Sequence, residues 1–185
     1  MIDDLDWTVE SSQVLLRDRW ISLRSDECTT STGAKVSPYY VYENPDWVSV
    51  FAVDTANRLL LAREYHHGAQ LTGIGLPGGA IDRNGESPAT GVLRELVEET
   101  GFQPTQLLDL GWVWANWNSH TNRLHCFLAT GCTPSGTRNL DDTENIELDR
   151  VPLDRFHPEQ LAQGYHRLNA YMALDKLRDV APSTS

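Results

Sequence analysis

The segment from Gly78 to Phe102 constrains the fold more than any other part of the chain. Residues 88–100 have the composition and spacing of a short amphipathic helix. Ser87 is a good N-cap, and the proline after it costs no hydrogen bond at the first helical position. Gly101 stands where a left-handed residue would end the helix. The sequence therefore predicts a helix over Pro88–Thr100.

Acidic residues are concentrated on one face of this helix. At ~100° per residue, Glu95, Glu98 and Glu99 fall within an arc of roughly 100°. The opposite arc is predicted to be the apolar, buried one, and it holds Ala89, Leu93, Leu96 and Val97. Like charges three and four residues apart destabilise a helix unless a countercharge is present, and hard divalent cations bind oxygen ligands. The alternative is a solvated acidic face.

A glycine-rich loop precedes the helix. Leu76-Pro77-Gly78-Gly79 follows an apolar strand, and a polar loop then runs to Gly85-Glu86. Such a loop brings backbone amides and carbonyls close to a metal–phosphate group. Loop and helix together are more specific than either alone.

The whole segment resembles the Nudix box. From Glu86 onward the match is complete: seven residues are followed by Arg94-Glu95-Leu96-Val97-Glu98-Glu99-Thr100-Gly101-Phe102. The departure lies upstream, where six residues rather than five separate Gly79 from Glu86. We assign the extra residue to the turn at 82–85, away from the acidic face.

The resemblance implies attack of water on one phosphorus of a substituted diphosphate, assisted by Mg²⁺ or Mn²⁺. Glu95 and Glu99 are the first candidates as metal ligands. Glu98 and the carbonyl of Gly78 come next, and Glu86 is expected to reach a ligand or a metal-bound water. Arg94 is expected to orient a carboxylate rather than to bind substrate.

Within the Nudix hydrolase family, the chain resembles the branch of ADP-ribose and nucleoside diphosphate sugar pyrophosphatases. The general base of this branch often lies on a loop before the last strand. Here the matching segment is Leu140-Asp141-Asp142-Thr143-Glu144-Asn145-Ile146-Glu147. Glu144 is the first candidate, Asp142 the second, and Glu98 is a further catalytic candidate on the helix. A solvated acidic loop is the alternative interpretation.

Several residues are candidates for binding the substrate. Arg63-Glu-Tyr-His66-His67-Gly matches a Gln-aromatic-Arg segment of the branch, with His66 at the position of an arginine that often contacts substrate. This loss of a bidentate arginine argues against strict ADP-ribose specificity. The other candidates are His120 and Arg123 on a polar loop, and the aromatic Tyr40 and Trp47. The alternative is that these are ordinary core or surface residues with no role in substrate binding.

Composition limits the partners. The chain has 185 residues, a formal net charge of −11 and no cluster of basic residues, so no nucleic-acid partner is expected. The start lacks the features of a signal peptide, and no stretch is apolar enough for a membrane span. Three scattered cysteines predict reduced thiols rather than zinc or disulfides. We therefore expect a cytoplasmic protein with no membrane partner.

The order of elements predicts an α+β fold or an α/β/α layered pattern, and the resemblance implies a sandwich with a mixed central sheet between helices. Residues 1–45 form an antiparallel meander with turns near Asp18 and Thr32-Gly33, and 46–181 form the Nudix domain. Trp47–Val53 and Arg58–Tyr65 are predicted to form a hairpin, and helices are expected over Pro158–Gln163 and about His166–Val180. In the last helix, an amphipathic spacing is given by Leu168, Tyr171, Met172 and Leu177. The meander resembles an extension that exchanges between subunits in the branch, which predicts a homodimer.

These observations favour a metal-dependent pyrophosphatase acting on nucleoside diphosphate sugars, including ADP-ribose. The products would be a nucleoside monophosphate and a sugar phosphate. One alternative is a nucleoside triphosphate pyrophosphohydrolase that cleanses the nucleotide pool, although such a chain would not need residues 1–45. The other is a non-catalytic module that senses a nucleotide, although such modules often lose box carboxylates that this chain retains.

Overall fold

The computed structural model describes residues 5–81, 85–136, 138–140 and 145–180. The chain divides into two compact units, Met1–Pro45 with Trp114–Arg123, and Asp46–Val113 with Leu124–Ser185. The segment Trp114–Arg123 was not part of the predicted N-terminal extension. The domains 1–45 and 46–181 stay a prediction.

The first unit contains an antiparallel sheet in the order β1-β2-β3. Its strands are β1 (Thr8–Arg17), β2 (Ser22–Thr29) and β3 (Lys35–Tyr42). The side chain of Asp18 accepts hydrogen bonds from the backbone N–H groups of Trp20 and Ile21, at 2.7 and 2.9 Å, and so forms the first turn. Gly33 has a φ of 85° in the second turn, a conformation that favours glycine. The predicted meander is confirmed.

The second unit is built on a mixed sheet. Its strands are β4 (Trp47–Asp54), β5 (Arg58–His66), β6 (Leu71–Gly75), β7 (Gly78–Ala80), β8 (Phe102–Gln103), β9 (Gln106–Trp114), β10 (Arg123–Pro134) and β11 (Glu147–Pro152). The order is β11-β5-β4-β10-β8, with β6 on β5, β7 on β4 and β9 on β10. Strands β10 and β4 are parallel, while β4 and β5 are antiparallel and form the predicted hairpin.

Two helices cover opposite faces of this sheet. In the described residues these are α1 (Pro88–Thr100) and α2 (Gly164–Val180). One buried cluster joins Val48 and Val50 of β4 to Leu96 of α1. A second cluster joins Phe51 of β4 to Ala170 of α2. Because successive side chains of a strand point to opposite faces, the two helices lie on the two sides of β4. The α+β sandwich predicted from the sequence is confirmed.

The apolar face predicted for α1 was partly wrong. Leu93 is 37% exposed and Ala89 is also exposed, whereas Val92 is buried with Leu96. The buried face is rotated toward the glutamates, and Glu99 itself is only 7% exposed. A hydrogen bond to this carboxylate, described below, explains why an acidic residue is tolerated there.

The C-terminal helices also differ from the prediction. The helix expected over Pro158–Gln163 is a single 3₁₀ turn over Pro158–Gln160, and a second 3₁₀ turn spans Leu153–Arg155. Leu168 and Tyr171, predicted to lie on the apolar face of the last helix, are exposed. The buried residues of that face include Asn169, whose Nδ2 donates to the carbonyl and hydroxyl oxygens of Ser49, at 2.8 and 2.7 Å.

The helices of the described residues do not have the properties of a membrane span. None of the helices in the part of the chain that the structure describes is both long enough and apolar enough to span a bilayer.

Candidate active site

Both ends of α1 are fixed by local hydrogen bonds. The side chain of Ser87 accepts from the backbone N–H of Thr90 at 3.1 Å, as the N-cap prediction requires. Gly101 has a φ of 73°, and its N–H donates to the carbonyl of Val97 at 2.8 Å. The position of the acidic residues along the helix therefore follows from signals in the neighbouring sequence.

The glycine loop runs beside this helix as strand β7. Gly78 pairs with Ser49 and Gly79 with Val48 on β4. A Cβ atom on Gly78 would overlap the carbonyl oxygen of Val48, and a Cβ on Gly79 would lie 2.5 Å from a carboxylate oxygen of Glu95. Glycine at position 78 is therefore required for the strand to pass this close to β4, and a side chain at position 79 would displace the carboxylate of Glu95.

Arg94 joins three of the four box glutamates. Its Nε donates to Glu86 at 3.0 Å, and one Nη donates to Glu95 and to Glu98, both at 2.9 Å. The other Nη donates to Glu86 and to the carbonyl of Ala80, both at 3.2 Å. The hydrogen bond to Glu86 is the largest cause of a raised Arg94 pKa, although burial of the guanidinium opposes it. Arg94 thus orients carboxylates, as the sequence led us to expect.

Glu99 lies on the buried side of the same helix. Its carboxylate accepts a hydrogen bond from the backbone N–H of Gly78 at 3.2 Å. Residues four apart on a helix lie on the same side, so Glu95 and Glu99 both face the glycine loop, one against each glycine. This is the arrangement that the first two predicted ligands need.

The donor set suits a hard divalent cation. The side chains at the loop and on the adjacent helix face offer carboxylate oxygens, which Mg²⁺, Mn²⁺ and Ca²⁺ prefer over nitrogen or sulfur ligands. Within the described ranges, no three acidic, histidine or cysteine side chains converge on a single point as in a formed metal site. Here the guanidinium of Arg94 supplies the positive charge between Glu86, Glu95 and Glu98. The roles of these glutamates and of the Gly78 carbonyl as ligands stay predictions.

A cavity of about 570 Å³ lies in the second unit. Trp47 lines it and pairs in the sheet with Ala80, the last residue of the glycine strand. His66 lines it from the end of β5. Arg63 is not among the lining residues, and its guanidinium instead pairs with Asp149 at 2.6 Å. Trp47 and His66, two of the six predicted substrate-binding residues, therefore line the same cavity. Arg63, another of the six, forms an ion pair between β5 and β11.

A second cavity, of about 510 Å³, lies within the first unit. His120 lines it and stacks on Tyr42, with ring centroids 5.1 Å apart. Arg123 lies over the ring of Trp114, 5.3 Å from its centroid. Tyr40 is 52% exposed on β3 and does not line this cavity. The substrate roles of His120, Arg123 and Tyr40 stay predictions.

An arginine in this cavity wall belongs to an ion-pair network. Arg24 pairs with Asp26 at 3.0 Å and with Glu43 at 2.7 Å. Hydrogen bonds from Ser22, Arg24 and Arg17 lower the pKa of Glu43 to about 2. This network fixes the direction of the Arg24 side chain.

Both candidates for the general base, Glu144 and Asp142, lie outside the described residues. Their role stays a prediction.

Sequence analysis missed the residues at the start of α2. Tyr165 and His166 line the larger cavity, although they lie about a hundred residues from Trp47 and His66 along the chain. His166 is 8% exposed, and burial, followed by the proximity of His66, lowers its pKa to about 4. No local pattern marks these two residues, because their neighbours come from distant strands.

Comparisons with known protein families agree with this geometry. Residues 44–172 match the model of the NUDIX domain. Residues 7–45 match the model described as the nucleoside diphosphate sugar hydrolase N-terminal domain. The resemblance drawn from the sequence is therefore confirmed, both for the box and for the meander.

The individual proteins that resemble the chain have low sequence identity to it, between 22% and 27%. The chain is 25% identical over 148 residues to a methanol dehydrogenase activator of Bacillus methanolicus, a match that covers 80% of this chain and 78% of the relative. It is 27% identical over 121 residues to an ADP-ribose pyrophosphatase of Bacillus subtilis (strain 168), covering 65% of each protein. The crystal structure of an ADP compounds hydrolase superposes with a TM-score of 0.82 over 95% of this chain and 96% of that one. At 22% identity, this last likeness shows the fold alone.

Proposed function

The chain belongs to the NUDIX family, and on that premise we propose that it hydrolyses the diphosphate bond of nucleoside diphosphate sugars such as ADP-ribose. The products are a nucleoside monophosphate and a sugar phosphate. One observation carries the proposal: a match to the N-terminal domain of nucleoside diphosphate sugar hydrolases precedes a NUDIX domain that retains Glu86, Glu95, Glu98 and Glu99. The ADP-ribose pyrophosphatase among the relatives is consistent with the same substrate class.

NUDIX hydrolases generally need a divalent cation, and we propose Mg²⁺ or Mn²⁺ here. Glu95, Glu98 and Glu99, with the carbonyl of Gly78, would hold it, and Glu86 would contact it directly or through water. When bound, the cation neutralises charge on the diphosphate and makes a water more acidic. The close approach of Glu95 to Gly79 supports this assignment, because it directs a ligand side chain toward the loop.

The remaining steps of the hydrolysis would be carried out by residues of the chain. A carboxylate, Glu144 first, with Asp142 and then Glu98 as alternatives, takes a proton from the attacking water. The water oxygen forms a bond to one phosphorus, and the bond from that phosphorus to the bridging oxygen breaks. The second phosphate leaves with the bridging oxygen. Arg94 orients Glu86, Glu95 and Glu98 through the hydrogen bonds described above.

Turnover of a substrate panel tests the activity. Purified protein is incubated with Mg²⁺ and ADP-ribose, GDP-mannose, UDP-glucose or a nucleoside triphosphate, and the products are separated. Release of a nucleoside monophosphate and a sugar phosphate from at least one nucleotide sugar is expected. Turnover of the triphosphate alone, with release of pyrophosphate, would reassign the chain to nucleotide-pool cleansing. Binding of a nucleotide sugar without cleavage at any pH from 6 to 9 would identify a sensing module.

Two variants test the general base. Glu144→Gln should abolish turnover while metal affinity is retained, because the amide cannot accept the proton of the water. Asp142→Asn is the matched control and should keep most of the activity. Loss of turnover in Asp142→Asn alone would exchange the two roles, and full activity of both variants would remove this loop from the mechanism.

We further propose that the protein is a cytoplasmic homodimer that uses the N-terminal strands. Every residue of β1 is exposed, including Val14, Leu15 and Leu16 at 47–49%. A three-stranded sheet with so much exposed apolar surface is typical of one that pairs with another chain. The three cysteines are buried and free, which is consistent with a reducing compartment. Sedimentation should give twice the chain mass, and a monomer at micromolar concentration would contradict the proposal.

A further inference from the structure

Two buried polar residues of α2 face the sheet among apolar neighbours. His166 is 8% exposed and Asn169 is 0% exposed, and they lie three positions apart on the same side of the helix. Ala170 and Ala173, which are buried beside them, belong to the apolar cluster between α2 and β4. A buried imidazole and a buried amide each cost free energy unless their polar atoms are hydrogen-bonded. The partners of these two side chains therefore indicate what the polar atoms do.

His166 holds the backbone just before the glycine strand. Its Nδ1 accepts a hydrogen bond from the backbone N–H of Leu76 at 3.3 Å. The imidazole meets the ring of Tyr165 edge-on, with centroids 4.4 Å apart. A Cβ on Gly75 would lie 2.8 Å from Cε1 of the imidazole, so the ring packs directly against the backbone of β6. The position of this acceptor is thus fixed by packing against both a helix residue and a strand.

Asn169 holds the strand that pairs with the glycine strand. Its Nδ2 donates to the carbonyl oxygen and to the hydroxyl oxygen of Ser49, at 2.8 and 2.7 Å. Because a carbonyl oxygen only accepts, the amide nitrogen must face Ser49, and Oδ1 has no hydrogen-bond partner among the described residues. Ser49 stands opposite Gly78 in the pairing of β4 with β7. Asn169 therefore contacts the residue opposite the predicted carbonyl ligand, at the cost of one unpaired acceptor.

Hydrogen bonds continue from these two contacts to the acidic face of α1. The carbonyl of Pro77 accepts from the N–H of Val50 at 2.9 Å, and the N–H of Gly78 donates to the carboxylate of Glu99 at 3.2 Å. With the contact of Leu76 described above, three consecutive residues each have a backbone group held by a partner. Since α2 and α1 lie on opposite sides of the sheet, segment 76–78 connects the buried polar residues of one helix to the acidic residues of the other.

We propose that His166 and Asn169 are positioning residues for the cation site. Acting through the backbone, they hold Gly78 in place, so that its carbonyl and the carboxylate of Glu99 keep the arrangement that a shared cation needs. The inference rests on the proposed function, since it concerns the cation of the same reaction. Hydrogen-bond partners outside the ligand set commonly change metal affinity or activity by about 10–100-fold. Such a role accounts for polar side chains in an apolar interface.

The affinity for Mn²⁺ tests the role of Asn169 without substrate. Asn169→Leu keeps the number and branching of the side-chain atoms but removes the donor to Ser49. It should weaken Mn²⁺ binding at least about tenfold, the low end of the effect of losing such a partner. Lys176→Leu is the matched control, because Lys176 is exposed on the same helix, and it should bind Mn²⁺ like the unmodified chain. Equal affinities of the two variants would overturn the role of Asn169.

Two variants of His166 separate its hydrogen bond from its packing. His166→Leu removes the acceptor for the N–H of Leu76 and should also weaken Mn²⁺ binding at least about tenfold. His166→Gln keeps an acceptor and should restore most of the affinity. Full affinity in His166→Leu would mean that the contact is not needed, and equal loss in both variants would mean that the imidazole acts by packing alone. Either result would overturn the role of His166.

Measurements on the unmodified chain cover the case in which these variants do not fold. In EDTA, the N–H of Leu76 should exchange with solvent at least about tenfold more slowly than that of the exposed Gly68, because its acceptor is buried. Mg²⁺ should then shift the ¹⁵N resonance of His166 Nδ1, since a coupling between two sites acts in both directions. The exposed His157 is the internal control and should not shift. Fast exchange at Leu76, or a His166 resonance that does not respond to Mg²⁺, would overturn the proposal.

The result is distinguishable from a failure of the proposed function. Loss of Mn²⁺ affinity in the α2 variants of a chain that cleaves no nucleotide sugar would support the positioning role and reject the activity. Cleavage of nucleotide sugars, with the same Mn²⁺ affinity in all variants, would reject the positioning role and leave the proposed function intact.

Discussion

Arg94 holds Glu86 through two hydrogen bonds, from Nε to one carboxylate oxygen at 3.0 Å and from Nη to the other at 3.2 Å. This bidentate pair connects the helix to Glu86, the first glutamate of the box, eight positions earlier. A planar guanidinium is suited to such a pair in a way that a lysine is not. The same guanidinium contacts Glu95 and Glu98, so one side chain organises most of the acidic face.

Arg94→Ala should lower the free energy of unfolding by about 1–3 kcal/mol in EDTA, because three neighbouring carboxylates lose their countercharge. The loss is kept below that of a fully buried pair by the 35% exposure of the arginine side chain. Saturating Mg²⁺ should reduce the loss, since the cation restores positive charge at the glutamates. Chemical unfolding with and without Mg²⁺ measures both values.

Arg178→Ala is the control for that experiment, because Arg178 is exposed in the last turn of α2. It should change stability by less than about 0.5 kcal/mol under both conditions. An Arg94→Ala loss that is the same in EDTA and in Mg²⁺ would contradict the idea that cation and guanidinium neutralise the same carboxylates.

Gly79→Ala should reduce kcat at least about tenfold while the fold is retained. The added methyl group would lie 2.5 Å from a carboxylate oxygen of Glu95, so this side chain must move away from the position proposed for metal binding. Gly164→Ala is the matched control, because a Cβ there meets nothing within 4 Å. Steady-state kinetics and circular dichroism give the two readouts. Unchanged kcat in Gly79→Ala would show that the observed position of Glu95 is not needed.

His166 should make the chain less stable as the pH falls below neutrality. Its pKa is about 4 in the folded state, chiefly because of burial, against about 6.5 in an unfolded chain. Between these values the unfolded state binds more protons, so stability is present above about pH 6.5 and is lost as the pH decreases toward 4. From pH 7.5 to 5 this group should cost about 2 kcal/mol.

His166→Gln removes the titrating group and keeps an acceptor for the N–H of Leu76. Urea unfolding at both pH values should therefore show a smaller decrease in stability for the variant than for the unmodified chain. Equal decreases would mean that His166 does not titrate differently in the folded and unfolded states.

The sequence predicted the elements whose signals are local. Ser87 and Gly101 specify the two ends of α1 within one turn of the helix, and the structure has both caps where they were expected. The hairpin of β4 and β5 and the N-terminal meander follow in the same way from short alternating runs and turn residues. These features depend on neighbours along the chain, so one sequence is enough to find them.

The errors concern partners that are distant along the chain. Glu99 is buried and its carboxylate accepts a hydrogen bond from the N–H of Gly78, 21 residues away, whereas Leu93 on the predicted apolar face is exposed. Asn169 is buried because it hydrogen-bonds to Ser49, 120 residues away. A hydrophobic pattern treats both residues as surface positions, since it contains no information about their partners.

In the candidate site, too, contacts between residues close in sequence could be predicted and contacts between distant residues could not. Glu95 and Glu99 lie against the glycine loop, and this closeness could be inferred because loop and helix are adjacent in sequence. Tyr165 and His166 were not named, since only the packing of α2 against the sheet brings them to the cavity beside Trp47. Side chains that reach a site from distant parts of the sequence can be identified only from a structure.

Binding of Mn²⁺, measured by electron paramagnetic resonance of the free ion, tests the central claim most directly. The unmodified chain should remove Mn²⁺ from solution, and Glu95→Gln and Glu99→Gln should each weaken this binding at least about tenfold and abolish nucleotide-sugar hydrolysis. Glu159→Gln, a change at an exposed glutamate outside the box, should leave both properties unchanged. Undiminished Mn²⁺ binding and turnover in the two box variants would contradict the account.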